Sequence, residues 1–332
     1  MKKNSMEYCE YCRKFVGYNI KNEKVTRKLK DTDVTYNERI AICSECGREI
    51  FVDELNDMNL SELYKQYRIV NDIISLDKIK EIPQKYNIGV RPLSLLLGWG
   101  ELTYTRYYSG NYIPSKHYSE ILKKVYEEPY YYLQLLENNK ENITEIAYKK
   151  SLKATEQLLS TNCISIEDAA KYVVSLYNDI TPLVLQKVLY YAQGFYFAFC
   201  SKFLFKDNCE AWQHGPVYRN IYGIYSKYKF NYIDDIDLVD TNVFSKEQML
   251  VLNCVTKYFH IFNGKQLEEL THNESPWITT RGDLPADASS NKVIRKSTIG
   301  LYFANIKDKY AMTNPNDIFE YVKDVLINFW EW

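Results

Sequence analysis

Two Cys-x-x-Cys pairs near the N-terminus constrain the fold of this chain more than any other feature. Cys9 and Cys12 form the first pair, Cys43 and Cys46 form the second, and 30 residues separate the pairs. Each pair brings two thiolates to one turn, and four thiolates suit a closed tetrahedral zinc site. So short a segment has too little core to fold without such a staple. The pattern predicts a zinc ribbon with short β-strands and a structural zinc ion over residues 1–55.

Other roles for these cysteines fit the pattern less well. A redox Cys-x-x-Cys normally lies in a βαβ pattern, and neither pair does. An all-thiolate site leaves no open position for water, which disfavours catalytic zinc. The remaining cysteines are scattered singly, and we expect them to be small buried hydrophobic residues. They are Cys163, Cys200, Cys209 and Cys254.

Composition excludes several classes of protein. The 42 basic and 43 acidic residues rule out a wholly basic chain, and the low content of Gly (12) and Pro (9) disfavours a turn-rich all-β fold. The longest uncharged stretch, Val188–Cys200, is too short to span a membrane, and no apolar leader follows Met1. We therefore expect a cytoplasmic protein with no membrane partner. The 31 tyrosines suit protein interfaces or nucleic-acid backbones, but a biased coding composition explains them equally well.

A locally basic segment follows the cysteine pairs. Residues 78–126 contain eight basic and three acidic side chains in a chain whose net charge is −1. After a connecting helix over Asp53–Ser75, short helical pieces are separated by glycine turns, which is typical of a helix-turn-helix. These pieces are Lys78–Lys85, Arg91–Leu97, the recognition helix Glu101–Ser109, and Ser115–Glu127. The alternative is a plain helical subdomain with a solvated basic face.

The helix-turn-helix interpretation makes residues 56–130 a linking helix and a DNA-binding domain. An arginine there can contact a guanine through two hydrogen bonds, and Thr or Tyr can contact phosphate or a thymine methyl. The candidate DNA-binding residues are Arg91, Thr103, Tyr104, Arg106, Tyr107 and Lys116.

Together, the cysteine pairs and LLLGWGELTYTRYYSGNYIP resemble the MqsA-type antitoxins over residues 1–130. That family has a zinc ribbon followed by a helix-turn-helix with an Arg-Tyr-Glu-x-Gly signature. Here the signature reads Arg106-Tyr107-Tyr108-Ser109-Gly110, so that Tyr108 replaces the acidic residue, and Leu102 stands where the family has a base-reading asparagine. The resemblance implies a homodimer that binds operator DNA and represses its own operon, with an altered operator sequence.

The second half of the chain is predicted to be helical. Residues 131–164 form a linker with an exposed helix over Ile143–Ser160, and a domain over residues 165–332 follows. Ser165, Thr181 and Ser245 are predicted N-caps, and Leu183–Cys200 is apolar on nearly every side, as in a core helix. A catalytic interpretation would pair His214 with Cys209 or His272. No nucleophile elbow or oxyanion glycine run accompanies them, so we expect no enzyme.

Four motifs in this half resemble the Panacea domain, also described as SocA-like or GepA-like. They are LQKVLYYAQGF (Leu185–Phe195), EAWQHGPVYRNIY (Glu210–Tyr222), LEELTHNESPW (Leu267–Trp277) and IGLYF (Ile299–Phe303). The resemblance implies a compact, mainly helical antitoxin domain that neutralises a toxin by direct binding. Its residues either bind the partner or hold the core of the motif. They are Gln186, Lys187, Tyr190, Tyr191, Trp212, His214, Gly215, Pro216, Tyr218, His272, Pro276 and Trp277.

These observations predict a mainly α protein with a small N-terminal zinc ribbon, a helix-turn-helix and a Panacea-like domain rich in helices. The predicted function is that of an antitoxin of a type II toxin–antitoxin system, which neutralises a cognate protein toxin and regulates its own operon. The alternative is a phage- or prophage-associated transcriptional regulator whose C-terminal domain senses a partner other than a toxin.

Overall fold

The structure, a computed structural model, describes residues 6–234, 239–285 and 287–330. The chain is mainly α, with 57% of its residues in helices, and the described residues contain fifteen α-helices and a small N-terminal antiparallel sheet. The predicted fold class is confirmed. The chain divides into two compact units, Met1–Ala154 and Thr155–Trp332, which are described separately below. Within the described part, no helix has the length and apolar character needed to cross a membrane.

A four-stranded antiparallel sheet begins the first unit. Its strands, in spatial order, are β1 (Met6–Cys9), β2 (Lys14–Leu29), β3 (Thr32–Cys43) and β4 (Glu49–Ile50). The β2–β3 hairpin pairs continuously from Tyr18 opposite Cys43 to Leu29 opposite Thr32, so it is longer than the sequence indicates. Because Cys9 lies opposite Lys14 near the start of β2, both cysteine turns meet at the open end of this hairpin.

Helix α1 (Asp53–Val70) packs on β3 and supplies hydrogen-bond partners to backbone groups at the free edge of this strand. The side-chain amide of Asn59 donates to the carbonyl of Arg39 and accepts from the Arg39 N–H, with both hydrogen bonds at 2.8 Å. One side chain therefore takes the place of a neighbouring strand, and such cover prevents pairing with another chain. The predicted connecting helix is confirmed, although it ends at Val70 rather than Ser75.

Five short helices complete most of the first unit around a core that contains tyrosines. They are α2 (Leu76–Lys85), α3 (Val90–Leu96), α4 (Thr103–Tyr108), α5 (Lys116–Glu127) and α6 (Pro129–Asn138). The rings of Tyr86 and Tyr132 stack with their centroids 3.6 Å apart. The Tyr86 hydroxyl donates to the carbonyl of Val125 at 2.7 Å. Buried tyrosines of this kind account for part of the tyrosine excess, because their hydroxyls find backbone acceptors.

The helix predicted over Ile143–Ser160 is α7 (Glu145–Leu159), but the expectation that it is exposed was wrong. One face of α7 is buried, with Ser151, Leu152, Thr155 and Leu159 in the interior. The Ser151 hydroxyl lies 2.6 Å from that of Tyr132. The lysines of α7 lie on its other face, and their number misled the sequence-based prediction.

The second unit contains the remaining helices and a three-stranded sheet. The helices are α8 (Ile166–Leu176), α9 (Pro182–Cys200), α10 (Arg219–Tyr225), α11 (Lys246–Phe259), α12 (Gly264–His272), α13 (Ser275–Arg281), α14 (Lys296–Lys309) and α15 (Ile318–Trp330). The strands are β5 (Cys209–Trp212), β6 (Gly215–Tyr218) and β7 (Val293–Ile294), in the spatial order β6-β5-β7. The hydroxyls of Ser165, Thr181 and Ser245 accept from the backbone N–H three residues ahead, which confirms the predicted N-caps.

Helix α9 is buried almost throughout and forms the centre of the second unit, as predicted. Helix α14 packs on it unusually closely. A Cβ atom at Gly194 of α9 would lie 2.0 Å from the ring of Phe303, and one at Gly300 of α14 would lie 2.5 Å from the ring of Phe197. These two glycines therefore allow each helix to accept an aromatic ring from the other.

The cysteines outside the N-terminal pairs were predicted to be buried. Cys209 and Cys254 are buried, whereas Cys163 and Cys200 are only partly buried.

Candidate functional site

The four cysteines of the N-terminal pairs lie together. Their sulfur atoms are all within 4.8 Å of one another, with Cys9 Sγ 3.7 Å from Cys46 Sγ and Cys12 Sγ 3.9 Å from Cys43 Sγ. Four sulfurs about 2.3 Å from one zinc ion would be about 3.8 Å apart. The cluster therefore has the ligand type, number and spacing of a tetrahedral metal site, and it is the one such cluster found among the described residues.

Backbone hydrogen bonds around the second pair favour the thiolate form. The N–H groups of Glu45 and Cys46 both donate to Cys43 Sγ at 3.4 Å. The bond from Cys46 contributes most to lowering the pKa of Cys43 to about 7. Since the thiolate is the metal-binding form of cysteine, the turn prepares this sulfur for coordination before a metal arrives.

Three of the predicted DNA-binding side chains are exposed on the five-helix part of the first unit. Arg91 on α3 forms an ion pair with Glu101, and Lys116 lies in the first turn of α5. The guanidinium of Arg106 on α4 lies 5.6 Å from the ring centroid of Tyr112. The three cations lie on a surface that can bind a polyanion, although the ion pair with Glu101 neutralises the charge of Arg91.

The other three predicted DNA-binding residues differ in exposure. Thr103 and Tyr107 are half-buried, and the ring of Tyr107 lies edge-on to Trp99. Tyr104 is fully buried, and its hydroxyl donates to the carbonyl of Ile79 at 2.6 Å. Its assignment as a DNA-binding residue was therefore wrong, because Tyr104 has no surface to offer a nucleic acid. In a helix as short as α4, the sequence did not show which tyrosine faces the core.

In the second unit, the motif residues converge on the β5–β6 hairpin. The ammonium of Lys187, on α9, is completely buried and donates to the carbonyl of His214 at 2.5 Å and to that of Pro216 at 3.2 Å. Burial lowers the pKa of Lys187 to about 8. Burying a cation is costly, and here its two hydrogen bonds tie the hairpin backbone to α9.

Three further side chains hold the same hairpin, and with Lys187 we call them the clamp. Gln186 accepts from the N–H of Tyr218 at 2.7 Å and donates to its carbonyl at 3.3 Å. Trp277 Nε1 donates to the carbonyl of Trp212 at 2.9 Å, and Arg281 donates to that of Ala211 at 3.2 Å. The clamp thus fixes the backbone of both strands from α9 and α13.

The turn of the hairpin requires a glycine. Gly215 has a φ of +94°, which side chains rarely adopt. A Cβ atom there would also lie 2.7 Å from Thr271 Oγ1 and 2.8 Å from Lys187 Nζ. The glycine of the Gly-Pro pair is therefore explained by its positive φ and by the approach of the clamp lysine to the turn.

A buried carboxyl lies at the centre of the second unit. Glu274 accepts hydrogen bonds from the hydroxyls of Tyr190 and Tyr191 on α9, at 2.8 Å and 2.9 Å, and of Tyr321 on α15, at 3.4 Å. Burial raises the pKa of Glu274 to about 7, although the three hydroxyls and Lys187 oppose this shift. The tyrosine pair of the first motif and the glutamate of the third motif are therefore one buried polar network.

The structure divides the predicted motif residues into two groups. Most are buried and hold the fold: Gln186, Lys187, Tyr190, Tyr191, Gly215, Pro216, Tyr218, Pro276 and Trp277. Trp212 and His272 are half-buried, and His214 is exposed. His214 pairs with Glu268, with its Nδ1 3.2 Å from a carboxylate oxygen, rather than with Cys209 or His272. The second group lies at or beside the tip of the clamped hairpin.

Comparison with known proteins identifies part of the second unit. Residues 185–278 match the family model of the SocA-like antitoxin Panacea domain. This Panacea segment contains three of the four sequence motifs, three of the four clamp residues and the buried glutamate, while Arg281 follows just after it. No curated protein and no solved structure matches the chain. The antitoxin-like part of the prediction is thus supported for the Panacea segment, whereas no relative of the MqsA type is found.

Sequence reasoning missed several residues of this site. The β5–β6 hairpin was interpreted only as a rigid turn, and Glu268, Glu274 and Arg281 were given no role. Glu268 and Glu274 lie in the third motif, close to the tryptophan and histidine that were singled out. Glu274 directly precedes the Ser-Pro-Trp start of α13 in this motif, and a carboxylate set between motif residues expected in the core is the signal that could have indicated a buried polar network.

Proposed function

We propose that this protein is the antitoxin of a type II toxin–antitoxin system, which neutralises a cognate protein toxin by binding it. The observation that carries the proposal is the Panacea segment together with its geometry. Its motif residues form a buried scaffold, whereas the exposed residues lie around a rigid hairpin tip. A domain of this kind suits binding by surface complementarity, so we infer that neutralisation is stoichiometric occlusion and not catalysis.

We further propose that the first unit is the DNA-binding part. In this proposal α3 and α4 form a helix-turn-helix that binds operator DNA as a homodimer and represses the operon, with Arg91, Arg106 and Lys116 facing the phosphates and bases. The support is the order of short helices and the exposed cations of α3, α4 and α5. The cysteine cluster would hold a structural zinc ion. The protein would act in the cytoplasm, where its other thiols stay reduced.

Co-expression tests the proposed antitoxin role. The full chain is expressed with the small protein encoded beside it, and growth rescue and co-purification are scored. We expect rescue and a stable complex from the wild type, and equal rescue from Arg106→Ala, because Arg106 lies outside the Panacea segment. A harmless neighbouring protein that forms no complex would contradict the antitoxin role and favour a regulator with another partner.

Binding to DNA from the region upstream of its own gene tests the first unit. Arg106→Ala should weaken binding by about tenfold or more, as loss of a base or phosphate contact does. Lys149→Ala is the matched control, because Lys149 is an exposed cation on α7 that pairs with Glu145. Equal affinities for wild type and Arg106→Ala would refute the assignment of α4 as the recognition helix.

A further inference from the structure

The exposed side of the β5–β6 hairpin carries a compact aromatic and cationic surface. We define the hairpin-tip surface as Trp212, His214, Arg219, Tyr222 and Lys265. The rings of Trp212 and Tyr222 are T-shaped, with centroids 4.9 Å apart, and the guanidinium of Arg219 lies 5.5 Å from the Trp212 ring centroid. His214 and Lys265 are linked because both contact the carboxylate of Glu268.

The polar atoms that this surface offers to solvent are mainly nitrogens. The side chains of Arg219, His214 and Lys265 are 59%, 65% and 79% exposed. Their carboxylate partners lie beneath them, with Glu210 14% and Glu268 8% exposed.

Each carboxylate uses only some of the available donors. Two of the five N–H groups of Arg219 bond to Glu210, at 2.9 Å and 2.6 Å. The ammonium of Lys265 donates one hydrogen bond to Glu268 at 2.8 Å. Three N–H groups of Arg219 and two of Lys265 therefore make no hydrogen bond to the described part of the chain. Because these cationic donors are more exposed than the carboxylates they pair with, they can also bind carboxylates of a partner.

Hydrogen bonds from the clamp hold the backbone of this surface at the hairpin tip. Trp277 holds the carbonyl of Trp212, and Lys187 holds that of His214, so the clamp fixes the two tip residues from below. Trp212 is also fixed sideways, because its Nε1 donates to Glu210 at 2.7 Å. A preorganised loop loses less conformational entropy on binding, and Trp, Tyr and Arg are the residue types that dominate binding energy at interfaces.

We propose that the hairpin-tip surface is where the toxin binds, and that the toxin meets it with a segment that presents carboxylates beside an apolar side chain. This inference rests on the proposed antitoxin function and specifies its interface. Trp212 and Tyr222 receive the apolar side chain, and Arg219 and Lys265 receive the carboxylates.

The test measures the affinity of the full chain for the small protein encoded beside it, at 50 mM and 300 mM NaCl. Trp212→Ala and Tyr222→Ala should each weaken binding at least about tenfold. Lys265→Gln should weaken it about threefold or more at low salt and reduce its salt dependence. The matched controls are Phe319→Ala, an exposed ring on α15, and Lys246→Gln, an exposed cation on α11. Both should bind as the wild type does.

Each outcome decides the proposal. Thermal unfolding checks that every variant is folded, and Lys265→Gln alters only an exposed side chain, so it remains informative if an aromatic variant unfolds. Folded tip variants that bind and protect as well as the wild type would overturn the surface assignment while the antitoxin function stands. Weaker binding by the aromatic variants without any effect of Lys265→Gln would overturn the carboxylate partner. A wild type that neither protects nor binds would overturn the proposed function and this interface with it.

Discussion

Each unit of the molecule holds a β-hairpin in place, and the two hairpins are held by different chemistry. The β2–β3 hairpin is closed at its open end by four cysteine sulfurs within 4.8 Å of one another. The β5–β6 hairpin is held by buried side chains of α9 and α13 that bond to its backbone. The first arrangement has the ligands for an ion from outside, whereas the second consists of polar groups that only the folded chain brings together. The first should therefore fail on metal removal and the second on single substitutions.

The largest expected effect is that of metal removal on the first hairpin. Structural zinc contributes on the order of 10 kcal/mol to folding in small zinc modules. We expect a strong chelator, or Cys9→Ser, to abolish the amide-exchange protection of residues 6–50 while that of the second unit persists. Elemental analysis should give one zinc per chain.

A thiol outside the cluster provides the control for this experiment. Cys254→Ser, at a buried position in α11, should retain the zinc and the exchange protection of the ribbon. A metal-free chain with an equally protected ribbon would show that the four cysteines are not a structural metal site.

The same contrast explains what could be predicted from sequence. Cys-x-x-Cys spacing and N-cap serines act over a few residues, so the ribbon and the starts of α8, α9 and α11 were predicted correctly. The clamp joins residues 27 to 70 positions apart, and helical periodicity shows Lys187 only as a polar residue on an apolar helix. The family resemblance indicated which residues matter, but their burial and the bonds they make required the fold.

Lys187→Met should cause the next largest effect. Methionine fills similar space but removes the donors, which leaves the carbonyls of His214 and Pro216 without this partner in the interior. Each buried acceptor that loses its partner costs about 1–3 kcal/mol, and part of this is recovered because the buried charge is gone. We expect the free energy of unfolding of the second unit to fall by about 2–4 kcal/mol in urea, with faster amide exchange in β5 and β6.

The exposed Lys265 gives a matched control for this substitution. Lys265→Met removes an ammonium whose ion pair is solvent-accessible, so it should change stability by less than about 1 kcal/mol. Equal effects of the two substitutions would mean that Lys187 does not hold the hairpin.

Glu274 should make the stability of the second unit depend on pH. Its pKa is raised from 4.5 to about 7, so between these values the folded state binds more protons than the unfolded state. The contribution of Glu274 to the free energy of unfolding should therefore fall as the pH rises from 4.5 to 7, by about 3 kcal/mol in total.

Glu274→Gln isolates this contribution from other titrations. Burial lowers the pKa of His272, so below pH 6.5 this group makes the free energy of unfolding rise with pH, opposite to the effect of Glu274. Burial also lowers the pKa of Lys187, to about 8. Both groups are present in the wild type and the variant, and Lys187, which interacts with Glu274, titrates above this range, so between pH 4.5 and 7 the difference between the free energies of unfolding of the two proteins in urea reports Glu274. Parallel pH profiles for the two proteins would contradict the raised pKa.

The smallest expected effect concerns the free edge of β3 in the first hairpin, where the side chain of Asn59 alone bonds to the strand backbone. Asn59→Ala removes the two hydrogen bonds to the backbone of Arg39 and should lower the free energy of unfolding of the first unit by about 1–2 kcal/mol. Asn56→Ala is the control, because Asn56 is exposed on the same helix and the gain in helix propensity is the same. The Arg39 amide should exchange faster only in Asn59→Ala. If the Arg39 amide is equally protected in both variants, packing of α1 alone protects the β3 edge. Hydrogen bonds from side chains to the hairpin backbone would then stabilise only the second unit.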